Sequence, residues 1–232
     1  MNFFDKIKEL FSSEKYLLAL GEGLKTTLLI TLCALVIGVI LGTLIAVVKI
    51  SASRSKKLKP LSFVCDLYIM IIRGTPMALQ LFIMAFAVFA IRGFPLEITA
   101  IITFGLNSGA YVAENLRAGI QSVNKGQVEA GRSLGLSYSV TMVKIVLPQA
   151  VKNVVPSIGN EMISLLKETS IVSMVGLIDL TFSAKIIGAG QNMSDYLVPM
   201  LVAAVLYLII VYGITLMLKL LERRFMKSDR NC

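Results

Sequence analysis

Residues 26–48 read TTLLITLCALVIGVILGTLIAVV, without one charged side chain. A helix of about 20 apolar residues crosses the hydrocarbon of a bilayer. No water is present there to satisfy peptide groups, so a run of this kind must be helical. Lys25 precedes the run, and the basic stretch KISASRSKKLK at 49–59 closes it. Outward from this segment the same signal recurs. A second span covers about residues 61–90 and is interrupted by Arg73-Gly74-Thr75-Pro76, where Pro removes a helix hydrogen bond and Gly weakens the helix. A third covers about 97–117, a fourth about 148–166 and a fifth 196–221, with a polar stretch at 121–144 and a less apolar segment at 167–195. The pattern predicts an all-α polytopic membrane protein with about five transmembrane helices. Residues 1–18 add an amphipathic helix, with Phe3, Phe4, Ile7, Leu10 and Phe11 on one face and Lys and Glu on the other. It reads as an N-terminal interfacial helix over about residues 1–20. Gly38 and Gly42 form a GxxxG pattern that favours close helix packing.

Composition agrees. Of 232 residues 56% are hydrophobic and only 16% charged, with a mean hydropathy of +0.80; soluble domains are about 45–50% apolar. The net charge of +9 belongs to the loops of a membrane protein rather than to nucleic-acid binding, for which no soluble domain remains. Loop 49–59 holds Lys49, Arg54, Lys56, Lys57 and Lys59; the stretch 117–152 holds Arg117, Lys125, Arg132, Lys144 and Lys152; the C-terminal tail holds Lys219, Arg223, Arg224, Lys227 and Arg230. The other inter-span segments carry only Arg92, Lys167 and Lys185. Basic loops stay in the cytoplasm, so the N-terminus is expected outside, and the C-terminus and the stretch 121–144 inside.

Enzyme chemistry finds no footing. The chain has no His, and Cys33, Cys65 and Cys232 show neither metal-ligand nor disulfide spacing. No nucleophile–base constellation stands out, so no catalytic or metal residue is assigned. The stretch Gly21-Glu-Gly-Leu-Lys-Thr-Thr lacks Gly before its Lys and opens an apolar span, so it is no phosphate loop.

Within the cytoplasmic stretch, residues 126–134 favour a helix that Gly135 can end, and Pro148 suits the start of the re-entering span. A short helix lying along the membrane is suited to a groove on a partner. Glu129-Ala130-Gly131-x-x-x-Gly135, nine residues, then Ile145-Val146-Leu147-Pro148 resembles the "EAA" loop of permeases of type I ABC importers, with Gly131 where Ala is usual. The resemblance implies that Glu129, Ala130, Gly131 and Gly135 belong to a coupling helix seated in a cleft of the ATP-binding subunit. Arg73-Gly74-Thr75-Pro76-x-x-x-Gln80 resembles the signature of the polar amino-acid branch. So do Asn107-Ser108-x-Ala110-Tyr111-x-Ala113-Glu114-x-x-Arg117 and Leu166-Lys167-Glu168-Thr169-Ser170. Met70 stands where that branch often has an acid, with Asp66 four residues earlier.

The resemblance covers roughly residues 20–225. It implies an ABC transporter transmembrane domain at 21–225, with the coupling loop at about 121–144 and a cytoplasmic tail at 226–232. The implied setting is the bacterial plasma (inner) membrane. The implied partners are ABC ATPase subunits, a second permease copy or close relative, an extracytoplasmic solute-binding protein, an amino-acid substrate and membrane lipid. No cofactor is expected in this chain, ATP and Mg belonging to the ATPase partner.

A substrate site is expected where helices break near the membrane middle. One such place is Arg73–Pro76. The other is the fourth span with its continuation, where Ser157, Asn160, Glu161, Ser164, Leu165 and Glu168 share a helical face. Arg73 suits a substrate carboxylate, and Glu161 or Glu168 suits an ammonium, since an acid at membrane depth is costly without a purpose. Met77 and Gln80 follow Arg73 by about one turn. In similar permeases for basic amino acids an acid stands at the place of Glu161, which favours a cationic amino acid or cystine. The structural alternative is that Lys167 and Arg73 pair with these acids. A secondary transporter or channel is the alternative function; it calls for inverted repeats or a selectivity filter, and it leaves the EAA pattern unexplained. In a cysteine-free background, a thiol placed at Lys125 is expected to react with an impermeant reagent only from the cytoplasmic side; labelling from the exterior alone would reverse the topology.

Overall fold

The computed structural model describes residues 2–52, 55–190 and 195–229, with side chains as far as Arg224. Arg54, Arg230 and Cys232, and the side chain of Lys227, lie outside the described residues. The elements are α1 (Phe3–Ser12), α2 (Glu14–Ala52), α3 (Lys59–Gly74), α4 (Met77–Ile83), α5 (Leu96–Gln121), α6 (Lys125–Ser133), α7 (Tyr138–Thr141), α8 (Leu147–Glu168), α9 (Leu180–Gly188) and α10 (Leu197–Asp229). Short π-helical turns at Met84–Val88 and Met142–Val146 and a 3-10 segment at Thr169–Val175 continue them. Three helices are long and apolar enough to cross a membrane, and two bent helix pairs bring the number to five. Taking each bent pair as one span gives the five expected from the sequence.

Several boundaries moved. Residues 14–25 contain no Pro, and the helix runs through Gly21 and Gly23, so the first span extends back to Glu14 and forms one helix of 39 residues. The re-entering helix starts not at Pro148 but at Tyr138, because the Ser137 hydroxyl accepts from the Val140 N–H and caps it there. Pro148 lacks an N–H and stands just after the π-helical turn at Met142–Val146. The Gln149 side-chain amide donates to the Ile145 carbonyl at 2.9 Å. The segment 167–195 contains α9, whose N-cap Asp179 accepts from the Thr181 and Phe182 N–H groups. A cap of this kind contributes about 1 kcal/mol.

The chain divides into two units, and α2, α5, α8 and α10 give residues to both. The first comprises Met1–Leu35, Thr75–Gly105 and Met162–Ile214. Its two cores centre on Leu10, Leu20, Leu180 and Val198, and on Ile30, Leu81, Phe104 and Leu165. α1 does not lie free: Leu10 is fully buried, while Phe4 at the edge of the same apolar face is 80% exposed. The Lys6 ammonium meets the Asp195 carboxylate at 2.7 Å. Lys6 first, then the Leu197 N–H, holds the Asp195 carboxyl below the usual carboxylate range. The tie is thus intact at neutral pH and is lost as pH falls through that lowered value.

The second unit comprises Val36–Gly74, Leu106–Glu161 and Thr215–Cys232. Ile45, Ile69, Ala110 and Ala113 form its core. The GxxxG pair sets the spacing of α2 against α5. A Cβ at Gly38 would lie 2.5 Å from the Ser108 hydroxyl oxygen, and one at Gly42 would lie 2.8 Å from the Ala113 nitrogen. The Tyr68 hydroxyl donates to the Leu106 carbonyl, and Lys49 pairs with Asp66 at 2.7 Å. Asp66 therefore fastens α3 to the end of α2. Replacing Gly42 with Leu should force the helices apart and destabilise the protein by about 1–3 kcal/mol, read as a lower midpoint in thermal unfolding in detergent. Gly213→Ala, whose Cβ meets nothing within 4 Å, is the control expected not to lower the midpoint.

Candidate functional site

Two sets of residues carry the functional expectations, and the set around α6 lies wholly in the second unit. α6 begins at Asn124, whose side chain accepts from the Gly126 N–H at 2.8 Å. It ends in a Schellman turn: the Gly135 N–H donates to the Arg132 carbonyl and the Leu136 N–H to the Gly131 carbonyl. That turn needs a left-handed residue, and Gly135 has φ +80°. The Arg132 guanidinium also donates to the Leu136 carbonyl at 2.8 Å, bracing the turn from outside. The next residue, Ser137, then caps the following helix. Both ends of this helix–turn–helix are therefore fixed by local bonds.

The two faces of α6 differ. Gly131 is buried, and a Cβ there would lie 2.7 Å from the Thr141 methyl group. Its small size lets α6 sit on the turn of α7. Glu129, Ala130 and Arg132 are exposed, and Leu134 is 81% exposed. The structure thus separates the four residues singled out from the sequence: Glu129 and Ala130 face outward, whereas Gly131 and Gly135 shape the support. Leu134 went unremarked in the sequence because an isolated Leu among polar residues carries no periodic signal.

The helix-break set is divided. Arg73, Asn160 and Glu161 fall in the second unit, and Met77, Gln80, Ser164 and Glu168 in the first. α3 stops at Gly74, and α4 starts after Pro76, which sits at φ −63°, ψ 136° as its N-cap. The Gln80 amide reaches back to the Thr75 hydroxyl at 2.8 Å and the Thr75 carbonyl at 3.1 Å. The final residue of the RGTPxxxQ motif therefore ties the break together. Met77 packs against the core around Leu81 and Phe104.

The Arg73 guanidinium carbon sits 5.3 Å from the Tyr111 ring centroid. At this distance the guanidinium charge is attracted to the π face of the ring, and a guanidinium fork is the group that suits a carboxylate. One turn further along α5, Glu114 and Arg117 pair, and Arg117 also donates to the Gln121 side-chain amide oxygen at 2.6 Å. On α8, Asn160 is exposed, Glu161, Ser164 and Glu168 are part-buried, and Leu165 is buried. Among the described residues no cluster of His, Cys, Asp and Glu is arranged to hold a metal ion.

The loop geometry makes a conformational prediction. Asn tolerates the left-handed region, whereas a β-branched residue there is strained. Gly135→Asn should keep the turn, and Gly135→Val should loosen it. Hydrogen exchange of the Leu136 amide is expected to rise about tenfold in the Val variant and little in the Asn variant.

Comparison with known proteins gives these arrangements their context. The profile of the family described as binding-protein-dependent transport system inner membrane component matches residues 34–227. The arginine transport system permease protein ArtQ of Bacillus subtilis (strain 168) is 40% identical over 210 residues, covering 90% of this chain and 93% of its own. A permease protein of Rickettsia bellii (strain RML369-C) named for glutamine transport is 39% identical, covering 91% and 95%. Among solved structures, one described as an amino acid ABC transporter with histidines superposes with a TM-score of 0.84 at 39% identity, covering 93% of this chain and 98% of that one. The fold, the matched span and the level of identity together show that the chain belongs to the family of inner membrane components of binding-protein-dependent transport systems.

Proposed function

We propose that this chain is the pore-forming permease subunit of an ATP-driven amino-acid importer. The observation that carries the reading is the braced α6 turn, which holds Glu129, Ala130 and Leu134 outward on a support fixed at both ends. Such an element transmits force only if something outside the chain pushes on it. We assign that role to ATPase subunits that bind ATP and Mg and dock on the segment 121–144. The N-terminus is outside and the C-terminus in the cytoplasm. Two permease chains pair around the path, as two copies or as this chain with a close relative, and a solute-binding protein delivers the substrate. ATP binding favours one of two conformations, and the substrate's differing affinity for the two completes alternating access.

The substrate class follows from the relatives, which are named for arginine and glutamine transport. Arg73 receives the amino-acid carboxylate on its in-plane donors. Glu161, with Asn160 beside it on α8, receives an ammonium group, which favours a cationic amino acid or the zwitterion cystine. Ser164 and Glu168 continue that helical face along α8.

Reconstitution with the ATPase and the binding protein tests this. Uptake should require ATP, and uptake driven by an ion gradient alone would replace the proposal with a secondary transporter. Losing a hydrogen bond to a charged partner costs about 1.5–3 kcal/mol. Glu161→Gln should therefore reduce arginine uptake about tenfold or more while reducing glutamine uptake less. Equal loss of both would assign Glu161 to the scaffold.

A further inference from the structure

The second unit holds a cavity of about 270 Å³ between α2, α5 and α7. Ala46 and Lys49 line it from α2, Arg117 and Gln121 from α5, Tyr138 from α7 and Met142 from the π-helical turn that follows. Two of the lining side chains are cations, and none is a carboxylate.

The polar side chains of this lining have donors to spare. A guanidinium has five N–H groups; on Arg117 two go to Glu114 and one to the Gln121 side-chain oxygen, so two remain. An ammonium has three, and Lys49 meets one carboxylate, that of Asp66, which is 55% exposed. Gln121 gives its oxygen to Arg117 and so presents its NH2 group to other partners. Neither Asp66 nor Glu114 lines the cavity. The lining therefore calls for a guest that is anionic and has several acceptor oxygens. A phosphate group meets both conditions, and a guanidinium fork matches its geometry.

The surroundings carry the same sign. By sequence the second unit holds 16 basic and 6 acidic residues, and the first holds 7 and 8. Lys56, Lys57 and Lys59, which follow Lys49 closely, are exposed and enter no ion pair among the described residues. A field of this kind raises the local concentration of anions. The cavity also sits where two spanning helices end, α2 at Ala52 and α5 at Gln121. Basic pockets between spans at such a level hold phospholipid head groups.

We infer that this cavity is a binding site for a phosphate group, held by Arg117, Lys49 and the Gln121 amide, with Ala46 and Met142 against the carbon part of the ligand. A phospholipid head group and free inorganic phosphate present the same oxygens. An occupied site ties α2 and α5 to α7, on which α6 is seated through Gly131 and Thr141.

The test uses the purified full chain in a neutral detergent. Native mass spectrometry reads lipid retained from an equal mixture of phosphatidylglycerol and phosphatidylcholine, and phosphorus NMR reads broadening of the inorganic phosphate line. Preferential retention of phosphatidylglycerol assigns the site to a lipid head group, and broadening of the inorganic phosphate line assigns it to the free anion. Gln121→Glu places a carboxylate in the lining and keeps a partner for Arg117, so it should abolish whichever signal is seen while leaving the thermal midpoint in place. Lys49→Gln should weaken it about fivefold, the worth of one basic residue. Lys56→Gln with Lys57→Gln removes two cations of the same unit that do not line the cavity and should change it little. Absence of both signals in the wild type would overturn the inference. So would an undiminished signal in a folded Gln121→Glu, or a loss in the Lys56, Lys57 double variant as large as in Lys49→Gln.

Discussion

Everything in this structure answers to the demand that backbone polar groups be satisfied inside the chain, because the surrounding hydrocarbon offers them nothing. Long helices meet it for most residues. Where the helices stop, named side chains take over. The Gln80 amide returns to the Thr75 carbonyl at the RGTP break. The Gln149 amide takes the Ile145 carbonyl beside Pro148. The Asp179 carboxylate accepts two N–H groups at the head of α9. Each functional departure from helix is thereby stabilised at the place where it occurs.

A different constraint explains how α6 is built. A short amphipathic helix outside the spans has little packing of its own, so its stability rests on its ends. Asn124 and Ser137 cap it and its successor, and Gly135 closes it. Gly131 then lets it seat against Thr141. The result is a short helix fixed at both ends, with Leu134 exposed beside its closing turn.

The sequence was most legible where one residue type has one physical use. The uncharged run at 26–48 meant a span, Arg73-Gly74-Thr75-Pro76 meant a break, and Gly135 meant the end of a helix; all three are present. It misled where a residue has several uses. Pro148 suits a helix start, yet it sits behind a π-helical turn in a helix begun ten residues earlier. α1 showed an apolar face, but periodicity could not say that Leu10 packs on protein while Phe4 stays exposed.

What the sequence by itself determined is therefore the number of spans, the positions of the breaks and the family motifs, since length, hydropathy and backbone chemistry act locally along the chain. Tertiary structure alone decided what each motif side chain touches. Arg73 lies against Tyr111, Asp66 against Lys49, and the Gly38 and Gly42 pair against Ser108 and Ala113. These contacts join residues far apart in sequence, and their partners are fixed by how helices pack, which no local pattern records.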